Sequence, residues 1–343
     1  MITTKEVAKK AGVSIGTVSN VLTGNIRVSA QRKERVRKAI QELGYHPNDI
    51  ARCLKLNRTK MLGMVVTDIT NPFFSQMVRG AEEAALKHDY LLLTFNTDDR
   101  VEREKQVLLV LRARRVDGLL LVVAPTAESP SHIVETLNSG TPIVCLDRVP
   151  PGIKVDSVTV DNAAAARECV KHILSVGHKR IGIITGSMQL QTARERLQGF
   201  EKALKEAHIT PKAGWIQQGD FHTQSGYRLG RELLLSTDRP SAVLVSNWLM
   251  MIGFLKALGE LELVCPRDIS VATFDDPPMS DVFRPQITAV AQPAYSIGYA
   301  GAELLIQRIA SKRGTENPLA IRLPAELKIR ESTADSTSIA GEM

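Results

Sequence analysis

The sequence predicts a small all-α N-terminal unit, a short linker, and a larger α/β unit of two similar lobes built on parallel sheets. Three observations carry this. Positive charge is concentrated at one end: residues 1–60 hold thirteen Lys and Arg against Glu6, Glu34, Glu42 and Asp49, a net +9, whereas residues 61–343 hold 31 basic and 33 acidic residues. Helix caps and apolar residues at helical spacing fill the first 45 positions, and after Met61 short apolar runs alternate with helical stretches, the mark of repeated βα units. With 343 residues, 43% hydrophobic and 24% charged, the chain can bury a sizeable core and form two or three domains of a soluble, globular protein.

The elements follow in order. Thr3 and Glu6 have capping-box spacing ahead of Val7, Ala8 and Ala11, and Gly12 ends that first helix. Ser14 can cap a second helix with Val18, Val21 and Leu22 on one stripe and Gly24 as its stop, a helix-turn-helix arrangement. Ser29 can cap a third, basic helix carrying Val36, Ile40 and Leu43, closed by Gly44. From Tyr45 to Lys60 the pattern changes: Pro47 punctuates, Asn48 can cap, and Ile50, Ala51 and Leu54 sit at helical spacing on a segment too short to be stable alone.

Beyond Met61, strands are expected at LGMVV, YLLLTF, GLLLVV, PIVCL, SVTV, RIGII, WIQQ, AVLV and ISVATF. Helices are expected at Phe74 to His88, Val101 to Arg114, His132 to Ser139, Ala163 to Val176, Ala193 to Ala207, Ser225 to Leu235 and Leu249 to Glu260. Two sets of such units make two lobes, and small ligands bind such sheets beyond the carboxyl ends of the strands. The segment after Arg330, rich in Ser, Thr and Ala and without a leucine heptad, reads as a flexible tail.

Several classes are disfavoured. Cys53, Cys145, Cys169 and Cys265 form no CxxC pair, and the seven histidines have no metal-ligand spacing, so neither a structural metal nor another cofactor is expected. No signal-peptide core follows Met1 and no apolar run approaches twenty residues, so a cytoplasmic, nucleoid-associated location without membrane insertion is expected. Neither GxGxxG, a P-loop, GxSxG nor HExxH occurs in a suitable context, and an enzyme is not expected.

The string TTKEVAKKAGVSIGTVSNVL resembles the DNA-binding signature of the LacI/GalR family of transcription regulators. The resemblance continues through GYHPNDIARCLKLNRT, DITNPFF, VDGLLLV, DNAAAA, GHKRIGIITG, TARERLQGF and the FDD ending at Asp276, nearly the whole chain. It implies a helix-turn-helix headpiece over 1–46, a hinge helix and linker over 47–60, and a tail over 331–343. Residues 61–330 would form a two-lobed effector-binding and dimerisation domain, like periplasmic binding proteins. It implies a homodimer on an approximately palindromic duplex operator, with second helices in the major groove and hinge helices in the minor groove.

On that resemblance the DNA-binding candidates are Thr3, Ser14, Ile15, Gly16, Thr17 and Asn20 in the headpiece and Asn48, Ala51, Leu54 and Lys55 in the hinge. Polar groups on the second helix can meet base edges and Ile15 a thymine methyl. Thr17 and Ser19 could instead satisfy only their own helix, and Gly16 adds no side-chain readout. Ser14 caps with or without DNA, while its helix N-terminus offers donors to phosphate. Leu54 matches the family's minor-groove wedge, with packing within the dimer as its other role, and Cys53 raises a redox alternative.

For the effector, the candidates are Phe73, Phe74, Arg148, Asp161, Arg196, Phe221, Asn247, Trp248 and Asp275. Phe73 and Phe74 could stack on a sugar or a purine-like ring, or one could be core. Arg196 matches a family position that contacts effector, and Asp275 and Asp161 end strands where carboxylates accept ligand hydrogen bonds or cap helices. Trp248 stands where the family usually has an acid. Because either aspartate could cap a helix instead of facing the pocket, Arg148 and Arg196 make the expected lining more cationic than anionic, which admits a sugar acid beside a sugar or related ligand. The expected function is a transcriptional regulator, most simply a repressor, under allosteric control by a small metabolite. The alternatives are a cytoplasmic solute receptor without DNA regulation and a regulator controlled by a phosphoprotein.

Overall fold

The structure, a computed structural model, describes residues 2–22, 28–45, 58–126, 130–311 and 317–335. It divides into two compact units, Met1–Thr59 and Lys60–Met343. Asn48, Ala51, Leu54, Lys55 and Cys53 lie outside the described residues.

Among its described residues the small unit has three helices: α1 (Thr4–Ala11), α2 (Ile15–Leu22) and α3 (Ala30–Leu43). At the start of α1, Glu6 accepts from the Thr3 backbone N–H at 2.7 Å and its hydroxyl at 2.9 Å, and these bonds hold the Glu6 carboxyl below the usual carboxylate range. Gly12 takes a left-handed φ of 61° to turn the chain toward α2. Ser14 caps α2 by accepting the Thr17 N–H at 3.1 Å. Ser29 occupies the N-cap position of α3, but its side chain makes no capping hydrogen bond. Val7, Ala8, Ala11, Val18, Val36, Ala39 and Tyr45 form the core, and Tyr45 also shares a hydroxyl hydrogen bond with Thr4 at 2.8 Å.

The larger unit contains two six-stranded sheets. Its strands are β1 (Met61–Val66), β2 (Leu91–Asn96), β3 (Gly118–Leu121), β4 (Ile143–Leu146), β5 (Asp156–Val160), β6 (Ile181–Thr185), β7 (Ile216–Gln218), β8 (Ala242–Val245), β9 (Ser270–Phe274), β10 (Thr288–Ala291), β11 (Ala320–Leu323) and β12 (Glu326–Lys328). The helices are α4 (Pro72–Lys87), α5 (Val101–Ala113), α6 (Ser131–Asn138), α7 (Asn162–Ser175), α8 (Gln191–Glu206), α9 (Thr223–Leu235), α10 (Trp248–Glu260) and α11 (Ala294–Ser311). The sheet orders are β2-β1-β3-β4-β5-β11 and β7-β6-β8-β9-β10-β12, the same winding twice. Among the described residues all pairings are parallel except β10 with β12, which departs from the wholly parallel expectation. Among the described residues no helix is long and apolar enough to cross a membrane.

Alternation along the strands gives each sheet two buried faces. Met64 and Val66 point to the side covered by α4 and α11, while Val65 points to the side holding Leu108, Leu111 and Ile133. In the second lobe Ile184, Val243 and Val245 face α9 and α10, and Ile183, Leu244 and Phe274 face α7 and α8. Helices α4 and α11 touch backbone to backbone: a Cβ on Gly298 would fall 1.8 Å from the Met77 carbonyl oxygen, and one on Gly80 2.0 Å from that of Tyr295.

The chain passes between lobes three times, after β5, after β10 and after β11. Strands β10, β11 and β12 and helix α11, none of them among the sequence expectations, supply these later passages. The expected start of a flexible tail at residue 331 is also corrected. Ser332 is fully buried, donates to the Val271 carbonyl at 2.7 Å and accepts the Thr288 N–H at 2.8 Å, so the folded unit extends past Arg330.

Candidate functional site

In the small unit the N-terminal turn of α2 is presented outward. Ile15 is 51% exposed, and Ser14, Gly16 and Asn20 are exposed too. The Thr17 hydroxyl pairs with that of Ser14 at 2.9 Å, so Thr17 has a local partner as well as an outward position. A Cβ on Gly16 would meet only the Ser14 hydroxyl, at an ordinary 3.7 Å. Packing within this unit therefore does not require glycine at that position.

In the larger unit the loops leaving the carboxyl ends of the strands converge on a cleft between the lobes. From the first lobe come Thr67, Asp68 and Asn71 after β1, Asp99 after β2, and Asp147 and Arg148 after β4. Asn71 caps α4 by accepting the Phe73 N–H at 3.0 Å, with Pro72 in the first turn. That cap presents Phe73 and Phe74 edge to face at 5.1 Å. Arg148 donates to Asp99 at 2.6 Å and lies 3.6 Å from Asp147, with its guanidinium 5.8 Å from the Phe74 ring centre.

From the second lobe come Thr192 and Arg196 on α8, Phe221 and His222 after β7, Asn247 after β8, Asp275 after β9 and Gln292 after β10. Arg196 donates Nε to Asn162 at 2.8 Å and Nη1 to the Ser246 carbonyl at 2.6 Å. Its plane sits 4.1 Å from the centre of Phe274, and neither of these bonds uses Nη2. Asn247 works twice, accepting the Met250 N–H at 3.0 Å to cap α10 and donating to the Phe221 carbonyl at 2.8 Å. Phe221 has a left-handed φ of 71°, a strained state for a bulky residue. Its ring fills the space where Gly186 lacks a side chain, 2.2 Å from the missing Cβ.

The electrostatics correct the expectation of a mainly cationic pocket. Asp68, Asp99, Asp147 and Asp275 face Arg148 and Arg196, so carboxylates outnumber guanidinium groups. Burial pushes the Asp147 carboxyl up to about 6 against the pull of Arg148 and Arg196. Burial also raises Asp275, opposed by Arg196 and by the Gln292 amide donating at 2.7 Å. Thr67 Oγ1 and Gln292 Oε1 are buried without a hydrogen-bond partner, a costly state unless something in the cleft supplies one. The free volume is about 30 Å3, about one water's share.

Seven of the nine sequence candidates therefore meet in the cleft: Phe73, Phe74, Arg148, Arg196, Phe221, Asn247 and Asp275. Two do not. Asp161 is exposed and caps α7, accepting the Ala164 N–H at 3.0 Å. Trp248 opens α10 and packs edge-on to Phe283 at 5.1 Å, so its ring lines a neighbouring cavity rather than the cleft. Sequence reasoning missed Asp99, Asp147 and Gln292. The signal for Asp147 was its place between the strand PIVCL and Arg148; Gln292 follows a strand too short to be read.

Comparison with known proteins gives a consistent result. Residues 3–48 match the model described as bacterial regulatory proteins, lacI family, and residues 170–333 match a periplasmic binding protein-like domain. The chain is 36% identical to the HTH-type transcriptional repressor PurR of Edwardsiella ictaluri (strain 93-146) over 342 residues, 99% of both chains. It is 35% identical to PurR of Proteus mirabilis (strain HI4320), again over 99% of both. Among solved structures, the lac repressor dimer bound to operator and the anti-inducer ONPF superposes with a TM-score of 0.86 at 29% identity, covering 97% of this chain and 99% of that one. The complex of the transcriptional regulator CelR with cellobiose gives 0.73 at 30% identity, covering 97% and 100%.

Proposed function

The chain belongs to the LacI family of bacterial regulatory proteins, and from that premise we propose that its effector is a small neutral sugar held in the cleft between the two lobes. The protein is a DNA-binding transcriptional repressor controlled by a small-molecule effector, not an enzyme. The observation that carries the sugar reading is the lining. Carboxylates of Asp99, Asp147 and Asp275 accept from hydroxyl donors, Arg148 and Arg196 donate to hydroxyl oxygens, and Phe73, Phe74 and Phe221 offer ring faces and edges to the C–H side of a sugar. An excess of carboxylates disfavours a sugar acid, which would meet like charge. The resemblance to a regulator complexed with cellobiose supports the same class.

On the DNA side, Ile15, Thr17 and Asn20 read bases in the major groove, Gly16 lets the helix approach them closely, and Thr3 and Ser14 with the α2 N-terminus contact the phosphate backbone. Asn48, Ala51, Leu54 and Lys55 form the minor-groove hinge. The protein works as a homodimer on an approximately palindromic operator, in the cytoplasm at the nucleoid. The domain limits are 1–46 for the headpiece and 47–60 for the hinge, with the sensor running from 61 past Arg330. Sugar binding changes the orientation of the lobes and thereby the operator affinity.

Two measurements test this. Selection from a random duplex pool with the full-length protein should enrich a two-fold symmetric site, and calorimetry with a sugar panel should find a ligand that shifts operator affinity. Arg196→Ala should abolish the sugar response while leaving ligand-free operator binding intact. Failure to enrich any duplex, or a response to acidic but not neutral sugars, overturns the corresponding part.

A further inference from the structure

Beside the cleft lies a second cavity with a free volume of about 410 Å3, within the range of roughly 300–1,000 Å3 typical of small-molecule pockets. Asn71, Phe73, Asp275 and Gln292 line both spaces, so side chains of the proposed sugar site also form one wall of its neighbour. Gln292 is the clearest link. Its amide donates to Asp275 at 2.7 Å, while its Oε1 is buried without a partner and can accept from a ligand.

The far side of the cavity has the makings of a sugar subsite. Trp248 contributes an aromatic surface, fixed by its edge-on packing against Phe283. Ser296 supplies a hydroxyl from the first turn of α11. The Asp276 carboxylate pairs with Lys328 and Arg330, each at 2.8 Å, and Asp281 lines the same cavity, so on this wall two cations meet two carboxylates. Prolines at 72, 277, 278 and 293 restrict the surrounding backbone.

Resting on the reading of the cleft as a sugar site, we infer that this cavity is a second subsite and that the effector is a neutral two-ring saccharide. One ring occupies the cleft once the lobes admit it, the other lies against Trp248, and a hydroxyl near the linkage donates to Gln292 Oε1. Trp248, which replaces the acidic residue expected from the family pattern, then selects for the second ring instead of contacting the first.

The test is calorimetry on the full-length protein with cellobiose, lactose, maltose and melibiose against glucose and galactose. Ser296→Trp fills the cavity from an exposed position. The expected result is a disaccharide bound at least tenfold more tightly than its component monosaccharides, with Ser296→Trp removing that advantage and leaving monosaccharide affinity within twofold. Equal affinity for one-ring and two-ring ligands, or a disaccharide advantage that survives Ser296→Trp, overturns the subsite while the cleft reading stands. Binding of no sugar of either size overturns both.

Discussion

Arg148 bridges two strand-end loops by donating to Asp99 at 2.6 Å, with both side chains largely buried. The same guanidinium lies 3.6 Å from Asp147 and donates to the Val123 carbonyl at 3.3 Å. One cation thus stabilises two carboxylates and the exit of β3, and the geometry of the first lobe's half of the cleft depends on it.

Arg148→Met should destabilise the larger unit by about 3–5 kcal/mol, since it leaves carboxylates buried without a counter-charge. Arg148→Met combined with Asp99→Asn should recover part of that loss. Urea unfolding of the three proteins measures it, and additive effects of the two substitutions would show that the pair is not coupled.

Asp147 gives stability a pH dependence of definite sign. Folding raises its carboxyl from 3.8 to about 6, so the folded state prefers the neutral form. This contribution is fully present below pH 4 and is lost as pH rises through 6, by at most about 3 kcal/mol. Wild type compared with Asp147→Asn in urea should show the difference changing between pH 4 and 7 and flat above. A constant difference across that range would place the carboxyl at its ordinary value.

Ser332→Ala should cost about 1–3 kcal/mol, because it leaves the buried Thr288 N–H without its acceptor. Truncation after Arg330 should cost more, since it also removes the backbone bond from Val271 N–H to the Ser332 carbonyl. Thermal unfolding of both against the full chain reads this directly.

Gly16→Ala should leave the small unit as stable or up to about 1 kcal/mol more stable, because alanine is the better helix former and the added methyl meets nothing closer than 3.7 Å. Operator affinity should nevertheless fall by about tenfold if the α2 surface approaches the bases closely. Circular dichroism melting and a gel-shift titration separate the two effects, and unchanged affinity would remove Gly16 from the interface.

Most of the larger unit was legible because its central strands are continuous apolar runs buried on both faces, as in LGMVV and GLLLVV. What escaped lies where those signals weaken. Strand β10 is the short, small-residue run TAVA, and β11 is an edge strand alternating between exposed and half-buried. Helix α11 carries Gly298 and Gly301, which lower helix propensity in sequence but serve close packing in space. The same limit applied to the cleft. Aromatic and arginine residues stood out singly, whereas the role of Asp99 depends on Arg148 arriving from another strand, and a strand-terminal aspartate such as Asp161 looks the same whether it faces a ligand or caps a helix.

The three passages of the chain between lobes also constrain how the protein is made. The first lobe begins at β1 yet receives α11 and β11 from residues 294–323, after almost all of the second lobe. During synthesis from the N-terminus, its sheet therefore waits with one edge unpaired and the face beneath α11 uncovered until residues 294–323 have emerged. Such exposed edges invite association with other chains, so nascent chains stalled before residue 294 should depend on chaperones far more than chains in which α11 and β11 have emerged.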